Sequence, residues 1–195
     1  VLDGLEFKTT PLIMEEYENF GQAIIHYESG ELLNLQSGIL KSYYDMLNGN
    51  GVYATGDQNG EYGIAYFKSA VDEFAATLAN SVNKANGADE DPARAMFVTE
   101  PADAVFTAGN IHVSQGWIQD PTMIGMVRTL DPMTGLYQYG FDEVTDELGN
   151  VSLQNTNVIY LLSQFENGDL KFGNAHDFQG DVYEYIAFVS NRLAQ

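Results

Sequence analysis

One stretch constrains this chain more than any other. Ile64, Phe67, Val71, Phe74, Leu78, Val82 and Ala85 recur at intervals of 3, 4, 3, 4, 4 and 3 residues. Apolar residues three and four positions apart line one side of a helix. Lys68, Asp72, Glu73, Asn80 and Asn83 occupy other positions, and Asn86-Gly87 supplies a C-terminal stop. A narrow apolar stripe with a polar back predicts a long helix over residues 64–85 packed against another helix. Such a seam serves either the core of an intramolecular bundle or a contact between subunits.

The flanking segments are read against that helix. Leu2, Leu5 and Phe7 suit short strands, Pro11 breaks what precedes it, and Ala23-Ile24-Ile25-His26-Tyr27 is β-compatible. From Glu31 the period turns helical, with Leu32, Leu33, Leu35, Ile39, Leu40, Tyr43, Tyr44 and Leu47 mainly on one face. Asn48-Gly49-Asn50-Gly51 stops it, and residues 48–63 read as an exposed polar loop. Val105, Thr107, Ile111 and Val113 alternate around Gly109-Asn110 as short strands or an irregular β segment. Residues 118–128, with Asp120-Pro121 at the first turn, suit a short helix. Residues 130–153, rich in Gly, Asp, Glu and Thr, look like an inserted hairpin or loop. Val158, Ile159, Leu161, Leu162 and Phe165 mark one closing helix. Phe178, Val182, Tyr185, Ile186, Val189 and Leu193 mark another, with Asp177 as its N-cap.

Charge narrows the partners. The 28 Asp and Glu outnumber 8 Lys and Arg for a formal net charge of −20, and the basic residues are scattered singly. That surface repels phosphate backbones and anionic headgroups, so neither nucleic acid nor a membrane is an expected partner. The 45% hydrophobic and 12% aromatic content is too high for a chain that stays solvated. No run approaches the roughly 18 apolar residues of a membrane span. Absence of cysteine removes disulfides, thiolate metal sites and a cysteine nucleophile together. The start, Val1-Leu2-Asp3-Gly4, has no basic n-region and reads as part of a mature chain or of a longer one.

Candidate chemistry is sparse. Asp57-Gln58-Asn59-Gly60-Glu61 begins like a calcium loop, but the sixth position is not glycine and the twelfth is Lys68. His26, His112 and His176 lack zinc-ligand spacing. No G-x-S-x-G elbow, Walker loop or G-x-G-x-x-G occurs. No cofactor, metal or catalytic residue is therefore expected. Trp117, Tyr137 and Tyr139, with Tyr53 and Tyr62, are candidates for a carbohydrate-stacking or protein-binding surface.

Four stretches carry a resemblance. Ser29-Gly30-Glu31-Leu32-Leu33-Asn34-Leu35 looks like a "G-x-L-x-G-L-L" helix start. Phe74-Ala75-Ala76-Thr77-Leu78-Ala79-Asn80-Ser81-Val82-Asn83 is similar to an "LA-x-x-LA-x-x-VN" helix, followed here by Gly87 and Phe97. Thr107-Ala108-Gly109-Asn110-Ile111-His112-Val113-Ser114, then Asp120-Pro121, match "A-G-N-I-x-V-S…D-P". The run from Asn155-Thr156-Asn157-Val158 to Phe165, and then 178–193, resembles a "DN-x-N-A-x-x-L-x-x-L" helix with a closing "F-x-x-x-Y-x-x-L-V-x-x-L" helix. In this order, across residues 29–195, the chain resembles the C-terminal half of the flagellar hook-associated protein 1 family. Gln154 stands where that family has aspartate, and the connection 125–153 is longer.

The resemblance implies a structural, non-enzymatic component that joins hook to filament in the bacterial flagellum. It implies an extracellular place, reached through the flagellar export apparatus without a cleaved signal peptide. Implied partners are the hook, a second junction protein and copies of itself in the full-length form, whose terminal polymerisation helices would flank this chain. The isolated chain is expected to be a monomer, because its charge of −20 disfavours association at low salt. The expected fold is mainly α with a small β portion (α+β): long antiparallel helices in a bundle-like core. Residues 1–28 would be the edge of a preceding variable β segment. Residues 29–195 would be the helical core, with a loop and β insertion over about 88–155. The expected packing seam is Ile64, Phe67, Val71, Phe74, Leu78, Val82, Phe178, Val182, Ile186 and Val189. The alternative is a secreted acidic module binding carbohydrate or protein through Trp117, Tyr137 and Tyr139.

Overall fold

The computed structural model describes residues 2–3, 6–7, 11–17, 22–31, 33–56, 59–120, 125, 127–140, 143–145, 147–166, 170–173 and 177–194, some strand side chains excepted. The chain divides into two compact units, Val1–Ser69 and Ala70–Gln195, with the boundary inside the long helix.

In the first unit, β1 (Leu2–Asp3) pairs with β2 (Glu6–Phe7), and β3 (Leu12–Tyr17) pairs antiparallel with β4 (Gln22–Tyr27). Helix α1 (Ile39–Asn48) packs on β4. It begins later than the apolar period suggested: Gly38 has φ 92°, a left-handed conformation that cannot continue a helix N-terminally, and residues 33–36 are irregular. The α1–β4 contact is fixed by one buried side chain. Asn48 accepts from the Ala23 amide and donates to the Ala23 carbonyl, both at 2.7 Å, as a neighbouring strand would.

Residues 48–63 form the loop expected, but it is exposed only in part among the described residues, at Thr55, Gly56 and Gly60 to Tyr62. Gly51–Tyr53 forms a 3-10 turn, Asn50 bridges to Tyr62, and Gly51 donates to the Glu61 carbonyl at 2.9 Å. The turn closes where Gly49 and Gly63 cross, Gly63 donating to the Gly49 carbonyl at 3.0 Å. A Cβ on either would collide with backbone oxygen, of Glu61 and Asp45 for Gly49 and of Asp45 and Met46 for Gly63. These glycines therefore serve close approach rather than flexibility. Tyr66, 2% exposed, lies against the rings of Tyr53 and Tyr62.

Helix α2 (Ile64–Ala85) has the bounds its spacing predicted. In the second unit Asn83 repeats the Asn48 device, accepting from the Phe97 amide at 2.9 Å and donating to its carbonyl at 2.8 Å. That secures β5 (Phe97–Thr99), which pairs with β6 (Ile111–Val113). A 3-10 turn at Pro92–Arg94 is capped by Asp91. Helix α3 (Gln115–Gln119), capped by Ser114, ends before Asp120-Pro121, since a residue preceding proline is pushed out of the helical region. Of the short helix expected over 118–128, residues 121–124 and 126 lie outside the described residues, and Val127 and Arg128 belong to a strand. The inserted segment resolves into two hairpins. β7 (Val127–Leu130) pairs with β8 (Tyr137–Gly140), and β9 (Glu143–Thr145) with β10 (Val151–Leu153).

Helices α4 (Thr156–Glu166) and α5 (Val182–Leu193) complete the unit. Phe178 and Asp177 precede α5 instead of opening it. The cap is Asp181, which accepts from Tyr183 and Glu184 while Glu184 returns a bond to the Asp181 amide, a capping box. At the core centre Phe172 is fully buried against Phe74 (4.9 Å between ring centroids), with Phe165 and Tyr185 around it.

The architecture is mixed α+β, and the bundle of long antiparallel helices is not supported. Among the described residues five helices alternate with ten short strands in two-stranded ribbons, and only α2 exceeds 12 residues. The apolar periods were real, but glycines and strand-paired segments cut them short.

Candidate functional site

The expected packing seam separates into three environments. On α2, Ile64 and Val71 are 54% and 48% exposed, while Phe67, Phe74, Leu78 and Val82 are half-buried. The most buried α2 positions are small ones, Ala65, Ala70, Ala75, Ala79 and Ala85, together with Tyr66. Small side chains let neighbouring backbone come close, which leaves the larger residues at the margins of the contact. On α5, Val182 and Val189 are half-buried and Ile186 is 50% exposed; Phe178, outside the helix, stacks on Phe188 at 4.6 Å.

Within the second unit, four seam residues line one apolar groove between α2 and α5. Val71 and Phe74 face Ile186 and Val189 across about 230 Å³, with Ala70, Tyr185 and Ser190 completing the lining. The Tyr185 hydroxyl donates to the Ala70 carbonyl at 3.1 Å and fixes α5 on α2. Tyr185 is the residue the seam omitted. Its place in the apolar series of α5 was visible, but its hydroxyl bond to a helix backbone has no sequence signal.

Polar groups do not converge in this groove. His112 and Glu100 lie 3.6 Å apart on the β5–β6 ribbon and are both exposed. His26 contacts the Tyr27 carbonyl at 2.8 Å, and His176 lies outside the described residues. Among the described residues no group of three His, Asp or Glu is placed to hold a metal, and no helix is long and apolar enough to cross a membrane. Of the calcium-like loop, Asp57 and Gln58 lie outside the described residues. Asn59 instead donates to Asp45 at 2.8 Å and accepts from the Glu61 amide at 2.9 Å. Asp45 also pairs with Lys41, whose hydrogen bond, partly opposed by desolvation and aided by Asn59, holds the Asp45 carboxyl below the ordinary range.

Of the three aromatics proposed as a stacking surface, only Trp117 has a described side chain. Trp117 is half-buried, its indole N–H turned to the Arg94 carbonyl at 3.3 Å. Tyr137 and Tyr139 lie on β8, with their side chains outside the described residues.

The remaining buried polar groups are structural. Asn86 accepts from the Gly125 amide at 2.8 Å and Asn157 donates to the Gly125 carbonyl at 2.6 Å, so two buried side chains hold one glycine. Arg128 lies over the Tyr160 ring at 4.0 Å, joining β7 to α4.

No protein family, characterised protein or solved structure matches this chain.

Proposed function

We propose that this chain is a structural subunit of the bacterial flagellum, joining hook to filament by packing against its neighbours and carrying out no catalysis. The observation that carries the reading is the apolar surface left open on successive helices. Ile39, Tyr43 and Met46 are exposed along α1, Val71 and Ile186 on the α2–α5 groove, and Ile159 and Leu162 on α4. Exposed apolar residues that recur on one helix face favour contact with neighbouring molecules, as in the subunits of larger assemblies. The ordered resemblance over residues 29–195 supplies the particular assembly. Its second stretch, 74–83, lies inside α2, and its third spans β6 and the cap of α3.

In this reading the protein acts outside the cell, after export without a cleaved signal peptide. Its partners are the hook, a second junction protein and copies of itself. The deciding experiment is genetic. Deletion of the full-length gene is expected to leave hooks that lack filaments by electron microscopy; normal filaments on the deletion strain would remove the flagellar reading.

A further inference from the structure

We infer that the outer edge of β3 is a docking edge for an extended segment of another protein that carries a basic pair followed by apolar residues at alternate positions. This stands apart from the flagellar reading and fails or holds independently of it.

The register makes the edge legible. The outward backbone groups of β4 are taken: Ala23 by the Asn48 side chain, the Ile25 carbonyl by the Leu33 amide at 2.9 Å, and the Tyr27 amide by the Glu31 carbonyl at 2.8 Å. Opposed residues of an antiparallel pair alternate between exchanging both bonds and turning both away. Glu16, Met14 and Leu12 stand opposite Ala23, Ile25 and Tyr27, so their amides and carbonyls also turn away from β4. Among the described residues nothing meets them. Of the two long edges of this hairpin, one is closed at three successive positions, and the other meets no strand or side chain among the described residues.

An open edge gives main-chain bonds to any strand, so its sequence selects the partner. Leu12 and Met14 fall on one side of the strand and are 50% and 72% exposed, which favours apolar residues opposite them. Glu15 and Glu16 follow in the chain and favour Lys or Arg opposite. A second copy is disfavoured on the same grounds. Two antiparallel β3 strands would bring four glutamates into one ribbon, between molecules that each carry a formal charge of −20.

The test uses the 195-residue chain, isotopically labelled, with two blocked synthetic peptides of sequence TYKKVTVT and TYEEVTVT. The basic peptide is expected to bind saturably and to slow amide exchange at Leu12, Met14 and Glu16 by about tenfold or more, with the acidic peptide inert. Met14→Pro removes one outward amide and leaves the bonds to β4 intact, so it is expected to abolish binding while amide spectra of α1 and β4 stay native. Should that variant lose its fold, the double variant Glu15→Lys, Glu16→Lys decides instead, and is expected to reverse the preference to the acidic peptide. Equal binding of both peptides, an unchanged preference in the double variant, binding retained by a folded Met14→Pro chain, or dimerisation through β3 would each overturn the inference.

Discussion

Asparagine carries much of the specificity of this fold. Asn48 and Asn83 each satisfy both polar groups of one strand residue, and Asn86 and Asn157 share the two groups of Gly125. A primary amide matches the donor and acceptor of a peptide unit, so an asparagine closes a strand edge without a further strand. Replacing Asn48 by Ala strands the amide and carbonyl of Ala23 at the α1 contact. The expected cost is about 1–3 kcal/mol in a urea titration, with Asn83→Ala of similar size. Asn48→Asp is expected to fall in the same range, because the carboxylate keeps the acceptor and loses the donor. A second residue-scale effect depends on pH. The carboxyl of Asp45 titrates below its unfolded value, chiefly through the Lys41 hydrogen bond. Its contribution is thus complete above the ordinary carboxylate range and disappears as pH falls through the lowered folded value. Urea midpoints measured from pH 7 downward are expected to show a steeper acid decline for the wild type than for Asp45→Asn, the two curves converging in strong acid.

Elements differ in how visible they were in the sequence. Helix α2 was legible to the residue because seven apolar positions kept one period and Asn86-Gly87 ended it. Strands β1, β2 and β4 and the turns of the 130–153 region were legible in kind, since short β-compatible runs and Gly-bearing turns are local signals, whereas β3 was not read from the sequence. What the period could not show was which positions the tertiary structure would bury. Large apolar residues mark the stripe, yet in α2 alanines occupy the closest approach and Val71 stays half open. Two substitutions measure the difference. Ala79, fully buried, has no room for added methylenes, and Ala79→Leu is expected to cost about 1–3 kcal/mol. Val71→Ala, at a margin, is expected to cost about 0.5 kcal/mol or less. The reverse order in urea titrations would restore the large-residue stripe as the core. The asparagine contacts and the Gly49–Gly63 crossing were invisible for another reason: both join positions whose partners lie far along the chain, and the same residues in a solvated loop would read identically.

At the scale of the molecule two properties oppose each other. Exposed apolar residues on α1, α4 and the α2–α5 groove favour association, while a formal charge of −20 opposes it between like copies. Ionic strength separates the two. The screening length falls from about 10 Å at 0.1 M salt to about 3 Å at 1 M, so repulsion between molecules weakens steeply while apolar contact does not. Sedimentation velocity is therefore expected to give a monomer at low salt and a growing oligomeric fraction at high salt. Ile39→Asp and Val71→Asp, at open positions of α1 and of the groove, are expected to reduce that fraction with little loss of stability. Salt-independent monomer would mean that these faces have no affinity for one another and that any assembly depends on a different partner. Oligomers strongest at low salt would mean that complementary charge, rather than apolar surface, brings the copies together.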